Sequence, residues 1–349
     1  MNIVITGGAG FLGLRLARTL LQQNTLALAG STAQAIRRLT LVDRVAPPAD
    51  LLADSRVQVL EGDLNALLAS SPVITEGTDL VFHLAAAVSG ECEADFDLGM
   101  RSNIDATRAL LEACRQLKHA PTVVFASSLA VFGNSPEQPL PAVITDTTLP
   151  TPQNSYGIQK FIGEQLVADY ARKGFVRGRN VRLMTVSVRP GKPNGAASSF
   201  LSGMIREPLA GIRAACPVPP ETPVALSSPS RTIRGLIRAA EASDADWGAR
   251  TAINLPALKT TAGEMAAALE RVAGSAVAAL IDWTPDAAIA NIVTSWPAHI
   301  DAARARQLGL LPDANFDAII AEYLEPVDDL HGAAQVSFRD GLQGAVRRQ

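Results

Sequence analysis

Residues 2–13 constrain this chain more than any other stretch. An apolar run, Asn2–Thr6, leads straight into Thr6-Gly7-Gly8-Ala9-Gly10-Phe11-Leu12-Gly13, which opens a helical pattern. Gly7, Gly10 and Gly13 form a G-x-x-G-x-x-G turn. Such a turn lets the backbone approach a pyrophosphate, while the helix start at Phe11 and Leu12 offers free N–H groups and a positive dipole end. Gly13 lets the helix lie close on the strand. A strand–helix turn with no ligand is the competing reading, but this order of strand, turn and helix favours a dinucleotide site.

The first half of the chain alternates short apolar runs with longer helical patterns. Strands are expected at Asn2–Thr6, Leu39–Val42, Val57–Leu60, Leu80–Leu84, Thr122–Ala126 and Val181–Val188, with helices at Phe11–Gln23 and Asn103–Lys118. Strands separated by helices need crossover connections, hence parallel pairing and a sheet covered on both faces. Nearly continuous apolar runs suit such a sheet. The expected fold is α/β, a Rossmann-type doubly wound parallel sheet over residues 1–188. A smaller C-terminal substrate lobe is expected over 189–325, with the chain returning to the sheet. In that lobe, helices are expected at Thr261–Ala273 and Pro285–Asn291, with a strand at Val277–Asp282. Residues 326–349 are polar, contain glycine and read as a tail.

Leu41-Val42-Asp43-Arg44 ends the second expected strand. A carboxylate there accepts hydrogen bonds from both ribose hydroxyls of NAD and repels a 2′-phosphate. Its distance from Gly13 exceeds the usual ~20 residues, and the excess falls in the loop-like Asn24–Ala35 connection. Asp43 favours NAD, while the adjacent Arg44 is the feature that would favour NADP. Asp63 and Leu64, after the third strand, can hold the adenine edge through side chain and backbone. His83-Leu84-Ala85-Ala86 ends the fourth strand, and the small residues Ala85 and Ala86 beside Leu84 let the backbone approach the cofactor. A lone histidine such as His83 is more often structural than catalytic.

Tyr156-Gly157-Ile158-Gln159-Lys160 begins another helical pattern. A four-residue spacing puts phenol and ammonium on one face. A nearby ammonium stabilises tyrosinate and makes it a usable base near neutral pH. Phe125-Ala126-Ser127-Ser128 ends the strand that should run beside the cofactor, where a hydroxyl can polarise a substrate C–O group. The Y-x-x-x-K spacing is common by chance and gains its meaning from the other motifs and their order.

Taken together, residues 1–325 resemble the extended short-chain dehydrogenases/reductases, the group that includes nucleotide-sugar epimerases and dehydratases. The resemblance rests on the glycine turn, Gly62-Asp63-Leu64, His83-Leu84-Ala85-Ala86, Asn103, Ser127-Ser128-Leu129-Ala130-Val131-Phe132-Gly133, and Tyr156 with Lys160. It implies Ser128 as a catalytic hydroxyl and Tyr156 as general acid/base. Lys160 would hold the nicotinamide ribose and lower the Tyr156 pKa. Asn103 would help position cofactor and proton relay, and Pro190 would contact the nicotinamide carboxamide. The family's Val-Tyr-Gly reads Val131-Phe132-Gly133 here.

Nucleotide-sugar members carry Arg-x-x-Asn-x-x-Gly-Pro after the sixth strand. This chain has Val186-Ser187-Val188-Arg189-Pro190-Gly191-Lys192-Pro193-Asn194, with Arg189 in place of that Asn. Arg189 and Arg231 are candidate cations for a carboxylate, which a guanidinium binds bidentately. With Ser89 to Phe96 and Ser198-Ser199-Phe200, the lobe resembles a subgroup that oxidises a C4 sugar acid at its 2-hydroxyl to the 2-oxo acid. The substrate would then lie among Ser89, Ser128, Tyr156, Arg189 and Arg231. Two alternatives stand beside this reading. A nucleotide-sugar 4-epimerase or dehydratase would hold NAD tightly, and the absent Asn pattern counts against it. A catalytically silent NAD(P)-sensing protein would tend to lose Tyr156 or Lys160, and both are present. Related enzymes dimerise through the helices that begin near Asn103 and Ser155, so a homodimer is expected, although Ile104, Leu110, Leu111 and Cys114 read equally well as core.

Composition narrows the partners. Lys plus Arg is 31 against 34 for Asp plus Glu, with no basic stripe, so no nucleic-acid partner is expected. No apolar run approaches the ~20 residues of a membrane span, and Met1-Asn2-Ile3-Val4-Ile5 lacks a signal peptide's basic leader. Cys92, Cys114 and Cys216 have neither disulfide nor metal spacing. A cytoplasmic enzyme acting on a small carboxylate, with no metal, is the expectation.

Overall fold

Ile3, Val4 and Ile5 in β1 (Asn2–Thr6) are all buried, so both faces of this strand are covered. Around it β2 (Arg38–Asp43), β3 (Val57–Glu61), β4 (Leu80–His83), β5 (Thr122–Ser128), β6 (Arg177–Leu183) and β7 (Ile253–Asn254) complete a seven-stranded sheet in the order β7-β6-β5-β4-β1-β2-β3. Every pairing in it is parallel. The strand order reverses between β1 and β4, which opens a crevice at their carboxyl ends. The structure is a computed structural model, and it describes residues 1–191 and 196–325. The expected tail at 326–349 and Lys192, Pro193 and Asn194 lie outside the described residues.

Helix α1 (Phe11–Gln23) turns Leu16, Ala17, Leu20 and Leu21 onto one face of the sheet, against Ile3, Ile5, Leu39 and Phe82. After β4 come α2 (Ser89–Ala94) and a π-helical stretch, Met100–Asp105, that runs into α3 (Ala106–Arg115). After β5 comes α4 (Ser155–Arg172). Leu110, Leu111 and Cys114 of α3 pack with Val167 of α4 on Val4, Val81, Val123 and Phe125, so that stripe is core.

A second core lies in α5 (Phe200–Leu209), α7 (Ala262–Ala273), α8 (Ala287–Ser295) and α9 (Phe316–Leu324), built on Met204, Ile205, Met265, Leu269 and Ile320. Between these helices the chain returns to the sheet. Helix α6 (Pro229–Glu241) places Ile233, Leu236 and Ile237 in the first core, and β7 extends β6.

Several boundaries differ from expectation. The Val181–Val188 strand is broken: β6 starts at Arg177 and stops at Leu183, and Thr185–Val186 pairs with Leu226–Ser227 in a separate small sheet. The polar start of β6 is tolerated because Arg177 and Arg179 both pair with Asp244, and Arg179 lies over the Trp247 ring. The Asn24–Ala35 connection contains a small antiparallel pair, Thr25–Leu26 with Gln34–Ala35. The Val277–Asp282 strand shrinks to Ile281–Trp283, after a helical turn at Ser275–Ala278. Helix α8 begins at Ala287 because Asp286 caps it, accepting from the Ala288 and Ile289 amides.

Candidate active site

The crevice holds a cavity of about 550 Å³, within the range of small-molecule sites. Every cofactor residue named above lines it except Pro190, which is half-buried beside Arg189. Gly7 has φ +71°, and a Cβ there would stand 2.8 Å from the Ala85 nitrogen. A Cβ on Gly13 would stand 2.0 Å from the Gly7 carbonyl oxygen, so the turn and helix can meet only as glycines. Gly10 caps α1 without a side-chain hydrogen bond, which leaves the first amides to a phosphate.

Asp43 ends β2 at the mouth of this turn. Its Oδ2 accepts the Ala9 N–H at 2.9 Å, and its Oδ1 accepts the Arg44 N–H at 2.7 Å. The Arg44 side chain reaches across to Asp63 Oδ2 at 3.2 Å. Asp63 also caps the next helix through Asn65 and Ala66. Two carboxylates against one guanidinium suit the two free hydroxyls of NAD better than a 2′-phosphate. The uncapped helix start, the close-packed glycines and Asp43 therefore fit NAD.

Across the cavity, α4 presents Tyr156 and Lys160. Asn154 caps this helix through the Gly157 N–H at 2.8 Å, and Glu93 Oε1 accepts the Ser155 N–H at 2.7 Å, which ties α4 to α2. Ser128 Oγ accepts the Ala130 N–H at 3.1 Å, leaving its own hydrogen to donate. Lys160 Nζ donates to the Ala126 carbonyl at 2.8 Å and lies 5.7 Å from the centre of the Tyr156 ring. Burial pushes the Tyr156 phenol up to about 12, against a hydrogen bond from Ser128 and the pull of Arg189. Burial brings Lys160 down to about 8. Ser128 and Arg189 favour the ionised phenol, and burial outweighs both.

Asn103 does not line the cavity. It is buried in the π-helical stretch, where its Oδ1 accepts the Ala87 N–H at 2.9 Å and its Nδ2 donates to Gln159 Oε1 at 2.8 Å. It braces the loop after β4 against α4. His83, also buried, sits between the hydroxyls of Thr6 and Thr107 and outside the cavity lining.

On the substrate side, Ser89, Ser128, Tyr156 and Arg189 share the cavity. Arg189 Nε donates to the Val186 carbonyl at 3.1 Å and Nη2 to Ser198 Oγ at 3.0 Å. Ser89 Oγ accepts the Ala197 N–H at 3.1 Å. Burial holds Arg189 below the usual guanidinium range, against the pull of Tyr156, and the neighbouring Arg206 lowers it further. Among the described residues, no carboxylate neutralises Arg189. Arg231 is elsewhere: it sits on α6, 3.9 Å from Asp313, and is not part of the lining. Its Ser-Pro-Ser-Arg context marks a helix start, with Ser228 capping the Arg231 N–H. Thr185 and Trp296 line the cavity and went unread in the sequence. Thr185 was hidden inside an apolar run, and Trp296 arrives from the end of α8 with no local motif to flag it.

Residues 3–232 match the model of the NAD dependent epimerase/dehydratase family, and the chain belongs to that family. It is an NAD-dependent oxidoreductase acting on a CH–OH group, which sets aside the silent sensor. It is 55% identical to D-erythronate dehydrogenase of Cupriavidus necator over 325 residues, covering 93% of this chain and 98% of the relative. It is 45% identical to D-erythronate dehydrogenase of Haemophilus influenzae, covering 93% and 99%. Among solved structures, it superposes on the nucleoside-diphosphate-sugar epimerase from Agrobacterium tumefaciens with a TM-score of 0.83 and 39% identity, covering 96% of each chain.

Proposed function

We propose that this enzyme oxidises the 2-hydroxyl of a small sugar acid, D-erythronate or a close aldonate, to the 2-oxo acid. The observation that carries this reading is Arg189, a half-buried cation without an acidic partner among the described residues, in one cavity with Tyr156 and Ser128. A substrate carboxylate would supply the missing negative charge. The names of the two D-erythronate dehydrogenases support the choice of acid.

NAD, held by the glycine turn and Asp43, would supply the hydride acceptor. Tyr156 takes the proton of the substrate hydroxyl as the C–H bond breaks and the carbonyl forms. Ser128 donates its hydrogen to the same substrate oxygen, a preorganised contact of the kind worth ~3 kcal/mol. Lys160 holds the ribose and, as an ammonium, favours the ionised phenol. Arg189 fixes the carboxylate and so selects which hydroxyl faces Tyr156. Asn103 acts through Ala87 and Gln159 and is a positioning residue.

The test is NADH formation with erythronate, threonate and longer aldonic acids, each with NAD and NADP. Turnover of a C4 acid with NAD is the expected result. The name of the Agrobacterium structure keeps a nucleotide-sugar 4-epimerase or dehydratase as the second reading. It would give no net NADH with any acid and would carry NAD through purification.

We further propose a homodimer through α4, where Ile158 and Ile162 are exposed, with Phe96 exposed nearby. Elution as a monomer at micromolar concentration would count against it. Cys92, Cys114 and Cys216 are free and buried, which supports a reducing, cytoplasmic location. No helix among the described residues is long and apolar enough to cross a membrane.

A further inference from the structure

Lys160 and Glu164 lie one helical turn apart on the face of α4 that meets β5, and both are buried. The end of β5 meets them residue by residue. Lys160 Nζ lies 4.9 Å from the centre of the Phe125 ring and donates to the Ala126 carbonyl at 2.8 Å. Ser127 Oγ donates to Glu164 Oε1 at 2.5 Å. From β6, Arg182 donates through Nε to the same Oε1 at 2.8 Å and through Nη2 to Oε2 at 2.7 Å. The Glu164 and Arg182 side chains are only 2% and 5% exposed. The Arg182 guanidinium also lies over the Phe132 ring, 4.8 Å from its centre.

Ser127 reaches the cavity lining, but none of these three groups takes part in a step of the proposed chemistry. Nor is stability a sufficient reason for them, because well-packed apolar residues often serve as well as a buried ion pair. What the pair does provide is two opposite charges fixed beside a buried ammonium. We propose that the Ser127–Glu164–Arg182 network is a positioning device for Lys160. Glu164 offsets the Arg182 cation, and this keeps Lys160 charged and its Nζ on the Ala126 carbonyl. The inference rests on the reading of Lys160 as the partner of Tyr156.

The groups that face Lys160 are Tyr156 and Glu164 on α4, Cys92 on α2, His83 on β4, and Arg182 on β6 behind Glu164. Burial lowers Lys160, while Cys92 and Glu164 oppose it. The Cys92 thiol is itself held up at about 11 by burial, so it carries no charge near neutral pH. The His83 imidazole is held neutral by the same cause, with Lys160 adding to it. Glu164 is therefore the standing anion beside Lys160, and Arg182 the standing cation behind it.

The signs follow directly. Glu164→Gln leaves Arg182 uncompensated and lowers the Lys160 pKa. Arg182→Gln leaves Glu164 uncompensated and raises it. The double variant, with both charges gone, returns Lys160 toward the wild-type value. Shifts on the order of one pH unit are expected in each single variant. The chain has five lysines, so ¹³Cε labelling of lysine gives a spectrum in which Lys160 can be assigned and titrated without turnover. Opposite shifts in the two single variants support the proposal, and either variant that folds gives its own sign. A device that merely braced the helix would move Lys160 the same way in both, or in neither, and that result overturns it. If Lys160 shifts as stated while the alkaline limb of kcat/KM stays put, the network stands and the assigned role of Lys160 in catalysis fails.

Discussion

The Asp43 carboxylate accepts the Ala9 N–H at 2.9 Å, so the acidic end of β2 is fastened to the turn that follows β1. The contact braces the glycine turn and holds the carboxylate at the cavity wall, where we propose that it meets the ribose. Hydrogen bonds to a charged group contribute about 1.5–3 kcal/mol each. Asp43→Ala should therefore raise KM for NAD by roughly 10- to 100-fold and shift the NADP/NAD ratio of kcat/KM toward NADP. Steady-state kinetics with both cofactors checks this. An unchanged KM for NAD would remove Asp43 from the ribose site.

Tyr156 is the group that moves the proton in the proposed chemistry; Ser128 is its hydrogen-bond partner, and Lys160 Nζ lies 5.7 Å from its ring centre. Tyr156→Phe keeps the ring and loses only the hydroxyl. We expect kcat to fall by roughly 10²- to 10⁴-fold, the usual contribution of general base catalysis. NAD affinity, read by fluorescence titration, should change little, because the glycine turn and Asp43 are untouched. Near wild-type turnover in this variant would end the scheme.

The parts of this molecule that were legible in the sequence are those whose chemistry is local. The glycine turn, Asp43 and the Tyr156–Lys160 pair lie within short stretches whose spacing alone fixes their geometry. Residues that reach the cavity from distant segments were not legible. Trp296 comes from the end of α8, and Thr185 reaches the cavity only because the chain leaves the main sheet after Leu183. Arg177 to Asn180 hid the start of β6, since its arginines are neutralised by Asp244, a residue far along the chain. Arg231 misled for a related reason: a cation in a Ser/Pro segment looks like a ligand until Asp313 and the start of α6 are in view.

Arg189 should separate carboxylate recognition from cofactor binding. Its Nε and Nη2 are held by Val186 and Ser198, so its direction is fixed before a ligand arrives. Arg189→Met should lower kcat/KM for the acid by about 10²-fold, consistent with a charged contact of ~1.5–3 kcal/mol, and leave the Kd for NAD unchanged. Because a pull on the Tyr156 phenol is also removed, part of the loss should appear in kcat. Arg189→Lys keeps the charge without the bidentate geometry and should restore only part of the activity. A loss confined to NAD affinity would place Arg189 on the cofactor instead.

Lys160 and Tyr156 on α4 also predict how stability varies with pH. Lys160 is lowered from 10.5 to about 8, so between those values the unfolded chain binds more protons there than the folded one. Its contribution therefore rises with pH across that window and is lost as pH falls through about 8. Tyr156 is raised from 10.0 to about 12, so its contribution is present below 10.0 and lost as pH rises through about 12. Lys160→Met removes the first effect alone. Relative to wild type, this variant should gain most at neutral pH, and the gain should shrink toward pH 10. Urea unfolding at a series of pH values reads it directly, and a gap independent of pH would mean that Lys160 is not a buried charge.

His83 carries a prediction about a hydrogen atom. The Ala85 N–H can only donate, and it does so to Thr6 Oγ1 at 3.2 Å, so the Thr6 hydroxyl is free to donate to His83 Nδ1 at 2.7 Å. On the other side, Thr107 Oγ1 donates to the Asn103 carbonyl at 2.7 Å. It must then accept from His83 Nε2, 2.9 Å away. The chain of bonds admits one neutral tautomer, protonated at Nε2. Burial agrees, since it pulls the ring down to about 3, with Lys160 adding to the effect. The imidazole thereby links the loop that lines the cavity at Ala85 to the π-helical stretch that holds Asn103. Nitrogen NMR should find a ring that keeps its proton on Nε2 and does not titrate between about pH 5 and 9. His83→Leu would leave the Thr6 hydroxyl and Thr107 oxygen unmatched, and unmet buried hydrogen bonds cost about 1–3 kcal/mol each. Urea unfolding should therefore show a loss of about 2–6 kcal/mol. A proton found on Nδ1, or a midpoint near the free histidine value, would break the deduction.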